Sequence, residues 1–366
     1  MKIGILTFHY SNNYGALLQT YALSKTLYSL GYEPIIINRV PKKEEERNPF
    51  ALKIKKKIVQ KTVNYFQKSF DKFRKKFLQN ITPIIHRNEV LGSIVKNMDA
   101  VIVGSDQVWR IEYTKGLGLN NFLDFVPGNI RKIAYAASFG NDNFDGDEET
   151  IIKVKALLHR FNAISVREKS GVAICKDLFD VSAVHLIDPT LLLTPNDYIQ
   201  LISKKENHFT EKFITRYILD DTKQKSDIIE YISKQKNLNI FNITRESNTG
   251  FSLKKFELNW KKYYYPTIST WLFGIKNAEF IISDSYHGVV FSILFNKQFI
   301  CISNNYRGLT RITSLLEKFG LENRLINDSE NYSVYNKLDE IDYAPINKII
   351  ELERIKSIDF LNKQLN

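Results

Sequence analysis

Residues 2–31, KIGILTFHYSNNYGALLQTYALSKTLYSLG, decide the fold, because they contain a strand pattern, a polar turn and a helix pattern in direct succession. Residues 2–8 form a mostly apolar run, which is typical of a strand buried on both faces. Residues 16–30 carry apolar side chains at helical spacing, and Gly31 ends the predicted helix. A buried strand that leads into a helix indicates a parallel sheet covered by helices, and therefore an α/β fold.

The same alternation of apolar runs and helical segments continues along the chain. The further runs predicted as strands are residues 34–38, 100–103, 132–136, 163–166, 184–187, 213–219, 238–243, 279–282 and 299–302. The helices predicted between them are residues 149–161, 168–178, 225–234, 267–276 and 289–295.

A chain of 366 residues exceeds what one core usually supports, so we predict two domains. The turn Thr194-Pro195-Asn196-Asp197 marks the boundary, which gives parallel-sheet domains at residues 1–194 and 195–366. The first domain would carry a basic helical insertion at about residues 45–80. The charged stretch from Ile346 onward predicts a C-terminal helix that packs back on the first domain.

Composition and cysteine usage exclude several classes of protein. Hydrophobic residues make up 43% and charged residues 25%, which is typical of a globular chain rather than a disordered one. Cys175 and Cys301 have no CxxC spacing and indicate neither a disulfide framework nor a zinc site, so we expect buried, inert thiols. Residues 1–8 are too short for a signal peptide, and no apolar run reaches about 18 residues, so we expect a cytoplasmic protein.

Much of the net charge of +12 lies in one segment, residues 53–76, which contains ten basic residues interleaved with apolar ones. We interpret it as a solvated helix face that packs on its own domain. The alternative is peripheral contact with an anionic membrane at its inner face. Nucleic-acid binding would require a recognised module, and the sequence contains none.

Polar and small residues follow the predicted strands. In open parallel sheets, ligands bind beyond the carboxyl ends of the strands, where helix N-termini offer free N–H groups. Several strand ends would therefore supply hydroxyls, amides, an arginine and a histidine to one cleft. These residues are His9 to Gly15, Gly104 to Gln107, Ser138 to Gly140, Arg167, Asp188 and Ser283 to Gly288.

His287 is the strongest functional candidate, because it lies in a polar helix entry beside Gly288, where a ligand would approach the backbone. His9, at another strand end, is a weaker one. Structural alternatives remain open elsewhere: Asn12 and Asn13 as helix caps, Asp106 as a turn cap, Asp188 as a turn before Pro189, and Arg167 in a local ion pair.

The standard short motifs are missing from the sequence. It contains no GxxxxGK[ST], no GxGxxG after a strand, no HExxH and no GxSxG. These absences argue against common P-loop ATPases, classical dinucleotide dehydrogenases, zincins and α/β-hydrolases.

Five motifs in order resemble the polysaccharide pyruvyl transferase family over about residues 1–325. They are Asn13-Tyr14-Gly15-Ala16-Leu17-Leu18-Gln19, Gly104-Ser105-Asp106-Gln107-Val108-Trp109, Ser165-Val166-Arg167-Glu168, Asp188-Pro189-Thr190 and Asp284-Ser285-Tyr286-His287-Gly288.

The resemblance implies two Rossmann-like halves that face each other across a cleft, similar to GT-B glycosyltransferases. It also implies transfer of pyruvate from phosphoenolpyruvate to a sugar, which leaves a ketal on a capsule, exopolysaccharide or cell-wall glycan. Neither a cofactor nor a metal is expected. Some members carry an arginine two residues before the histidine, where this chain has Ser285. Anion binding is then expected from Arg167, Arg307, Arg311 or Lys297.

The mechanism that fits these residues assigns His287 as general acid or base, with Asp284 or the bound anion offsetting its charge. Asp106 would orient the acceptor hydroxyls or act as base, and Arg167 would clamp the carboxylate or phosphate. The remaining residues expected to bind substrate are Asn12, Asn13, Gly15, Gly104, Ser105, Ser138, Ser285, Gly288, Arg307 and Arg311.

Two other functions are compatible with the same sequence. One is a GT-B glycosyltransferase that uses a nucleotide sugar, since fold alone does not decide the donor. The other is a glycan-assembly protein with a degenerate site, which the serine at position 285 keeps open.

Overall fold

The computed structural model describes residues 1–41, 68–78, 80–114, 116–208, 211–244, 266–327 and 338–366. Two parallel sheets organise these residues, a six-stranded sheet in the first half and a five-stranded sheet in the second. Every strand pair in both sheets is parallel. The α/β prediction is therefore confirmed.

The first sheet has the order β2-β1-β3-β4-β5-β6, so the chain reverses direction across the sheet after β2. A reversal of this kind creates the crevice at which open α/β sheets bind ligands. Its strands are Lys2–Leu6 (β1), Glu33–Ile36 (β2), Ala100–Val103 (β3), Arg131–Ala137 (β4), Ala163–Val166 (β5) and Val184–His185 (β6).

The second sheet has the order β11-β10-β9-β7-β8. Strands β9 and β10 are buried along their whole length, as expected for central strands with helices on both faces. Its strands are Phe213–Tyr217 (β7), Asn239–Asn242 (β8), Phe280–Ser283 (β9), Phe299–Ile302 (β10) and Leu325–Ile326 (β11).

Helices follow most strands and cover both sheets. The α-helices are Tyr14–Ser29 (α1), residues 68–77 (α2), Asn88–Val95 (α3), Glu148–Leu158 (α4), Lys169–Ala173 (α5), Pro195–Ile199 (α6), Lys223–Lys236 (α7), Ile268–Asn277 (α8), Tyr286–Leu294 (α9), Thr310–Phe319 (α10) and Tyr343–Leu365 (α11).

Three predicted strands, residues 100–103, 163–166 and 299–302, have the bounds of β3, β5 and β10. The predicted helix 168–178 is confirmed over residues 169–178, where Lys169–Ala173 is α-helical and Ile174–Leu178 continues as a π-helix. The helix after β9 begins at Tyr286 rather than at residue 289. The chain turns directly from the strand into the helix, which places His287 in its first turn.

Aromatic side chains of both halves meet at the first turn of α1. The Tyr14 ring stacks on Trp271 with centroids 5.2 Å apart and contacts Tyr217 edge-on at 6.1 Å. The Tyr14 hydroxyl also donates to the Pro266 carbonyl at 2.7 Å. A second contact lies nearby, where Thr310 donates to Asp142 at 2.7 Å. These contacts bring the carboxyl ends of the two sheets together.

The C-terminal helix α11 returns to elements of the first half. Arg354 donates from Nε to the Leu191 carbonyl at 3.1 Å, and Arg131 of β4 donates to the Leu365 carbonyl at 2.7 Å. The first sheet ends at His185 and the second begins at Phe213, so the predicted division after residue 194 falls between them.

The basic segment is described only from residue 68, and residues 53–67 lie outside the described residues. In α2, Phe70 and Phe73 are buried, while Lys72 and Lys75 are exposed. Among the residues that the structure describes, no helix is long and apolar enough to cross a membrane. Cys175 and Cys301 are both free and buried, and burial raises the pKa of the Cys175 thiol to about 12.

Candidate active site

One buried cluster forms where the carboxyl ends of the two sheets face each other. Ser105 follows β3, Arg167 follows β5 and Asp188 follows β6, so all three come from the first half. His287 comes from the second half, in the first turn of the helix after β9. Each of the four residues is at most 6% exposed.

Asp188 is the centre of this cluster. Its Oδ2 accepts hydrogen bonds from Arg167 Nη1 at 2.7 Å and from Ser105 Oγ at 3.0 Å. Its Oδ1 accepts from the amide and the hydroxyl of Thr190 at 3.0 and 2.7 Å. Burial alone would raise the pKa of Asp188, but His287, Arg167 and the Thr190 amide hold it well below its usual range. The carboxylate is therefore ionised throughout the working range of pH.

His287 turns its Nε2 toward this carboxylate. The distance from Nε2 to Asp188 Oδ2 is 3.5 Å, which is an ion-pair distance but longer than a normal hydrogen bond. Within the described part of the chain, Nε2 has no hydrogen-bond partner. On the other side, the ring lies against Gly15, where a Cβ would be only 1.9 Å from Nδ1. The imidazole occupies this position because α1 has no side chain there.

Two buried arginines lie near the ring of Tyr286, the residue that precedes His287 in the chain. The guanidinium carbon of Arg167 is 4.2 Å from the centroid of the Tyr286 ring, and that of Arg311, from the second half, is 5.7 Å from it. Among the described residues, Arg167 Nε and Nη2 and Arg311 Nε have no hydrogen-bond partner. Burial, reinforced by the charge of Arg167, lowers the pKa of Arg311 to about 10, so both side chains are cationic at neutral pH. Buried, unsatisfied guanidinium N–H groups favour a bound anion.

Asp106 lies beside this pair in a strained backbone conformation. Its φ is +87°, an uncommon value for a residue other than glycine that costs on the order of 1–3 kcal/mol. Backbone pairing with Ala137 stabilises this strained conformation, and so does a hydrogen bond from the Ser138 amide to the Asp106 carbonyl. Its Oδ1 is 3.8 Å from Arg167 Nη2, and 14% of the side chain is exposed. This carboxylate therefore lies at the edge of the cluster.

The prediction that Asp284 offsets the charge of His287 is wrong. Asp284 pairs with Lys225 at 2.8 Å and accepts hydrogen bonds from the amides of Leu219 and Asp220. It is therefore committed to the loop after β7. Asp188 faces the imidazole instead, although the sequence places it only as one of several residues at the cleft, with a turn before proline as the alternative. Its role depends on contact between the two halves of the molecule, and no local sequence pattern indicates such a contact.

The glycines have other roles than the predicted ones. The Gly104 amide donates to the Leu6 carbonyl at 2.9 Å, so it is not available to a ligand. A Cβ at Gly288 would lie 2.1 Å from Ser283 Oγ, so this glycine gives room to the preceding strand rather than to a ligand. Gly15, predicted to bind substrate, gives room to the His287 ring.

The remaining polar candidates divide between structural and site positions. Asn13 caps α1 by accepting from the Ala16 amide at 3.2 Å, as the structural alternative proposed. The Asn12 side chain accepts from Arg74 at 3.3 Å, and Ser138 Oγ accepts from the Gly140 amide at 3.1 Å. Ser285 is buried directly before α9.

Three cationic or titratable candidates lie outside the cluster. Arg307 is half-buried and donates to Asp220 from Nη2 at 2.8 Å. Lys297 precedes β10, so it lies at the opposite edge of the second sheet from His287. Both ring nitrogens of His9 are bonded, to the Thr7 carbonyl and to Asn38, which makes His9 a structural residue. Among the described residues, no group of three or more metal-ligating side chains occurs.

Comparison with known proteins identifies the family and the fold of the chain. The model of a family described as polysaccharide pyruvyl transferase matches residues 13–306, more than half of the chain. Curated protein sequences include no match. Among solved structures, the chain is similar to UDP-GlcNAc 2-epimerase from Neisseria meningitidis, with 9% identity, a TM-score of 0.58 and coverage of 100% of this chain and 99% of that one.

The same enzyme from Methanocaldococcus jannaschii has 14% identity and a TM-score of 0.54, with coverage of 100% and 99%. S. aureus MnaA, solved with UDP, has 14% identity and a TM-score of 0.51, with coverage of 98% and 90%. At such low identity these likenesses show the fold alone. That fold is the GT-B-like arrangement of two parallel-sheet α/β domains.

Replacing Gly15 with alanine tests the contact between α1 and His287. Alanine is favoured over glycine in a helix by about 1 kcal/mol, but its Cβ would overlap the imidazole. We expect Gly15→Ala to lower the free energy of unfolding in urea. The matched control is Gly92→Ala in α3, where the nearest atom to the new Cβ is 3.7 Å away, and it should stabilise the protein slightly. Equal stabilisation by both changes would contradict the close contact.

Replacing Asp188 with asparagine tests the buried ion pairs. The pKa of Asp188 is lower in the folded protein than in the unfolded chain, so its stabilising effect is complete above about pH 3.9 and is lost as the pH falls through the folded value. We expect Asp188→Asn to lower the free energy of unfolding by about 3–5 kcal/mol at pH 7, with a smaller difference below about pH 4.

Urea titrations from pH 3 to 8 measure this difference. The exposed Asp359→Asn is the control and should change stability by less than about 0.5 kcal/mol. A difference for Asp188→Asn that does not vary with pH would refute the role of its ionised form.

Proposed function

Because the chain belongs to the polysaccharide pyruvyl transferase family, we propose that it transfers pyruvate from phosphoenolpyruvate to a sugar of a surface polysaccharide or of its precursor. The product would be a cyclic ketal. The observation that carries this proposal is the pair of buried guanidinium groups, Arg167 and Arg311, which both lie near the ring of Tyr286, next to His287 in the chain. The pair offers cationic N–H donors next to a titratable group.

Phosphoenolpyruvate suits this site because it carries a carboxylate and a phosphate close together. Arg167 is held by Asp188 through Nη1, which leaves Nε and Nη2 as donors for one anionic group. Arg311 would bind the other group from α10. In this chain the position two residues before the histidine is Ser285, and the second arginine belongs to a different helix, α10. Arginine binds both kinds of anion in a bidentate manner.

In the first proposed step, a sugar hydroxyl attacks C2 of phosphoenolpyruvate while the C3 methylene takes up a proton and becomes a methyl group. A C–O bond and a C–H bond thereby replace the C=C double bond. His287 is the general acid that donates to C3, and the ionised Asp188 is the counter-ion of its imidazolium. Asp106 is the base that accepts the proton of the attacking hydroxyl.

In the second step, a neighbouring hydroxyl attacks C2, and the bond from C2 to the phosphate oxygen breaks with its electron pair on phosphate. The second hydroxyl returns a proton to His287, and the phosphate takes up the proton held by Asp106. The sum is one ketal and one inorganic phosphate. Because His287 and Asp106 both end in their starting states, the cycle is closed.

The experiment that tests the proposal measures phosphate release from phosphoenolpyruvate with lipid-linked and nucleotide-linked galactose, mannose and N-acetylmannosamine acceptors. Mass spectrometry of the glycan should show a gain equal to pyruvic acid less one water. Thermal stabilisation by UDP or GDP sugars without phosphate release would favour a nucleotide-sugar glycosyltransferase. A lack of turnover with every donor would favour a degenerate glycan-assembly protein.

His287→Ala should lower kcat by about 100-fold or more, since the variant lacks the group that protonates C3. The control is His86→Ala, which removes an exposed histidine of the first half. Near-normal turnover by a folded His287→Ala variant would remove this residue from the mechanism.

Arg311→Met should weaken phosphoenolpyruvate binding, measured as Kd by calorimetry. A hydrogen bond to a charged group contributes about 1.5–3 kcal/mol, which corresponds to a rise in Kd of roughly tenfold to a hundredfold. The control is Arg324→Met, because Arg324 is also buried, also has an unpartnered Nε among the described residues, and precedes β11 at the opposite edge of the sheet. Equal Kd values for both variants would exclude Arg311 from the donor site.

A further inference from the structure

Arg74, in helix α2, donates to one loop with most of its guanidinium. Its Nε donates to the His9 carbonyl at 2.8 Å, and its Nη2 donates to the carbonyls of Tyr10 and Ser11 at 3.0 and 2.6 Å. Nη2 also donates to Asn12 Oδ1 at 3.3 Å. One side chain therefore binds four consecutive residues of the loop between β1 and α1.

The guanidinium is itself held in place. Its Nη1 donates to Asp71, one turn earlier in the same helix, at 2.7 Å. The side chain is only 15% exposed, although it belongs to a helix with many exposed lysines. Burial lowers the pKa of Arg74, yet the guanidinium stays charged at neutral pH. A buried cation with this many carbonyl partners is a structural connection rather than part of a solvated basic face.

Helix α2 is anchored on α1 by its apolar face. Phe70 packs against Tyr14 with ring centroids 5.0 Å apart, and Phe73 contacts Tyr21 at 5.9 Å. Arg74 directly follows Phe73 in the chain, so the packing of α2 determines where its guanidinium lies. The loop is thus attached to a rigid support at its outer side.

The loop that Arg74 binds leads directly into the site. Asn13 follows it and caps α1 at the Ala16 amide. Gly15, in the first turn of α1, lies against the His287 ring, with 1.9 Å between a built Cβ and Nδ1. A shift of the loop would move this turn. The imidazole would then lose its contact with Gly15 or move away from Asp188.

We propose that Arg74 is a positioning residue of the active site, which holds the loop of residues 9–12 and the first turn of α1 so that His287 faces Asp188. The inference rests on the proposed function for its catalytic consequence, but its structural consequence is independent of the reaction. It assigns to the inserted basic helix a role in building the site. Arginine is required because its planar fork directs separate N–H groups to several carbonyls, whereas lysine presents one nitrogen.

The test compares Arg74→Met, Arg74→Lys and the control Lys75→Met, which removes the same charge from an exposed position of the same helix. For Arg74→Met we expect kcat for pyruvyl transfer to fall by about tenfold to a hundredfold, since displacement of a catalytic group by about 1 Å can have this effect. Kd for phosphoenolpyruvate should change little. Arg74→Lys should lose activity as well, and Lys75→Met should not.

Two further readouts separate positioning from general destabilisation. Added guanidinium ion should restore part of the activity of Arg74→Met and none in Lys75→Met. In protein labelled with ¹³C,¹⁵N-histidine, the His287 ring resonance, assigned with His287→Gln, should shift in Arg74→Met and not in Lys75→Met. If Arg74→Met does not fold, the Arg74→Lys variant decides by the same readouts.

A folded Arg74→Met variant with normal kcat and an unshifted His287 resonance would overturn the inference, as would equal loss in Lys75→Met. If the wild-type protein transfers no pyruvate, the proposed function fails. The His287 resonance still decides whether Arg74 positions the ring.

Discussion

The buried pair of Arg167 and Asp188, 2.7 Å apart, is the constraint on which the site depends. Neither side chain has access to solvent, and a buried charge without a partner is strongly destabilising. Ser105 and Thr190 donate further hydrogen bonds to the Asp188 carboxylate, so the polar ends of β3, β5 and β6 are connected to one another. The second half then brings His287 to the same carboxylate. Removing either Arg167 or Asp188 would leave the other as a buried charge without its ion-pair partner.

The carboxyl groups around this pair differ in the direction in which their surroundings shift the pKa. Asp188 is ionised because its cationic and N–H partners outweigh burial, whereas burial raises the pKa of Glu168 despite the two arginines nearby. The Glu168 carboxylate also accepts hydrogen bonds from the amides of Phe139 and Gly140, which ties it to the loop after β4. Among the described residues, Arg167 Nε and Nη2 and Arg311 Nε have no hydrogen-bond partner, so both arginines still have N–H donors for an anionic ligand.

The sequence predicts the parts of this structure that depend on local pattern. Apolar runs identified the strands, and the polar ends of β3, β5 and β9 identified Ser105, Arg167 and His287 as neighbours of a cleft. The parts it could not predict depend on contacts between distant segments. Asp188 suggests an ordinary turn before a proline, and Arg74 is one of ten basic residues in its segment. Asp284 is near His287 in sequence, but its hydrogen bonds to the loop after β7 direct its side chain elsewhere.

The imidazole and its counter-ion belong to different halves of the molecule, joined at this point by the contact of His287 with Gly15 and Asp188. The imidazole and the carboxylate that faces it are therefore brought together only while the two halves are docked. Arg167 and Arg311 also come from different halves, so separating the halves would part the two guanidinium groups as well. Docking thus works as an interlock, because neither half alone carries the complete cluster.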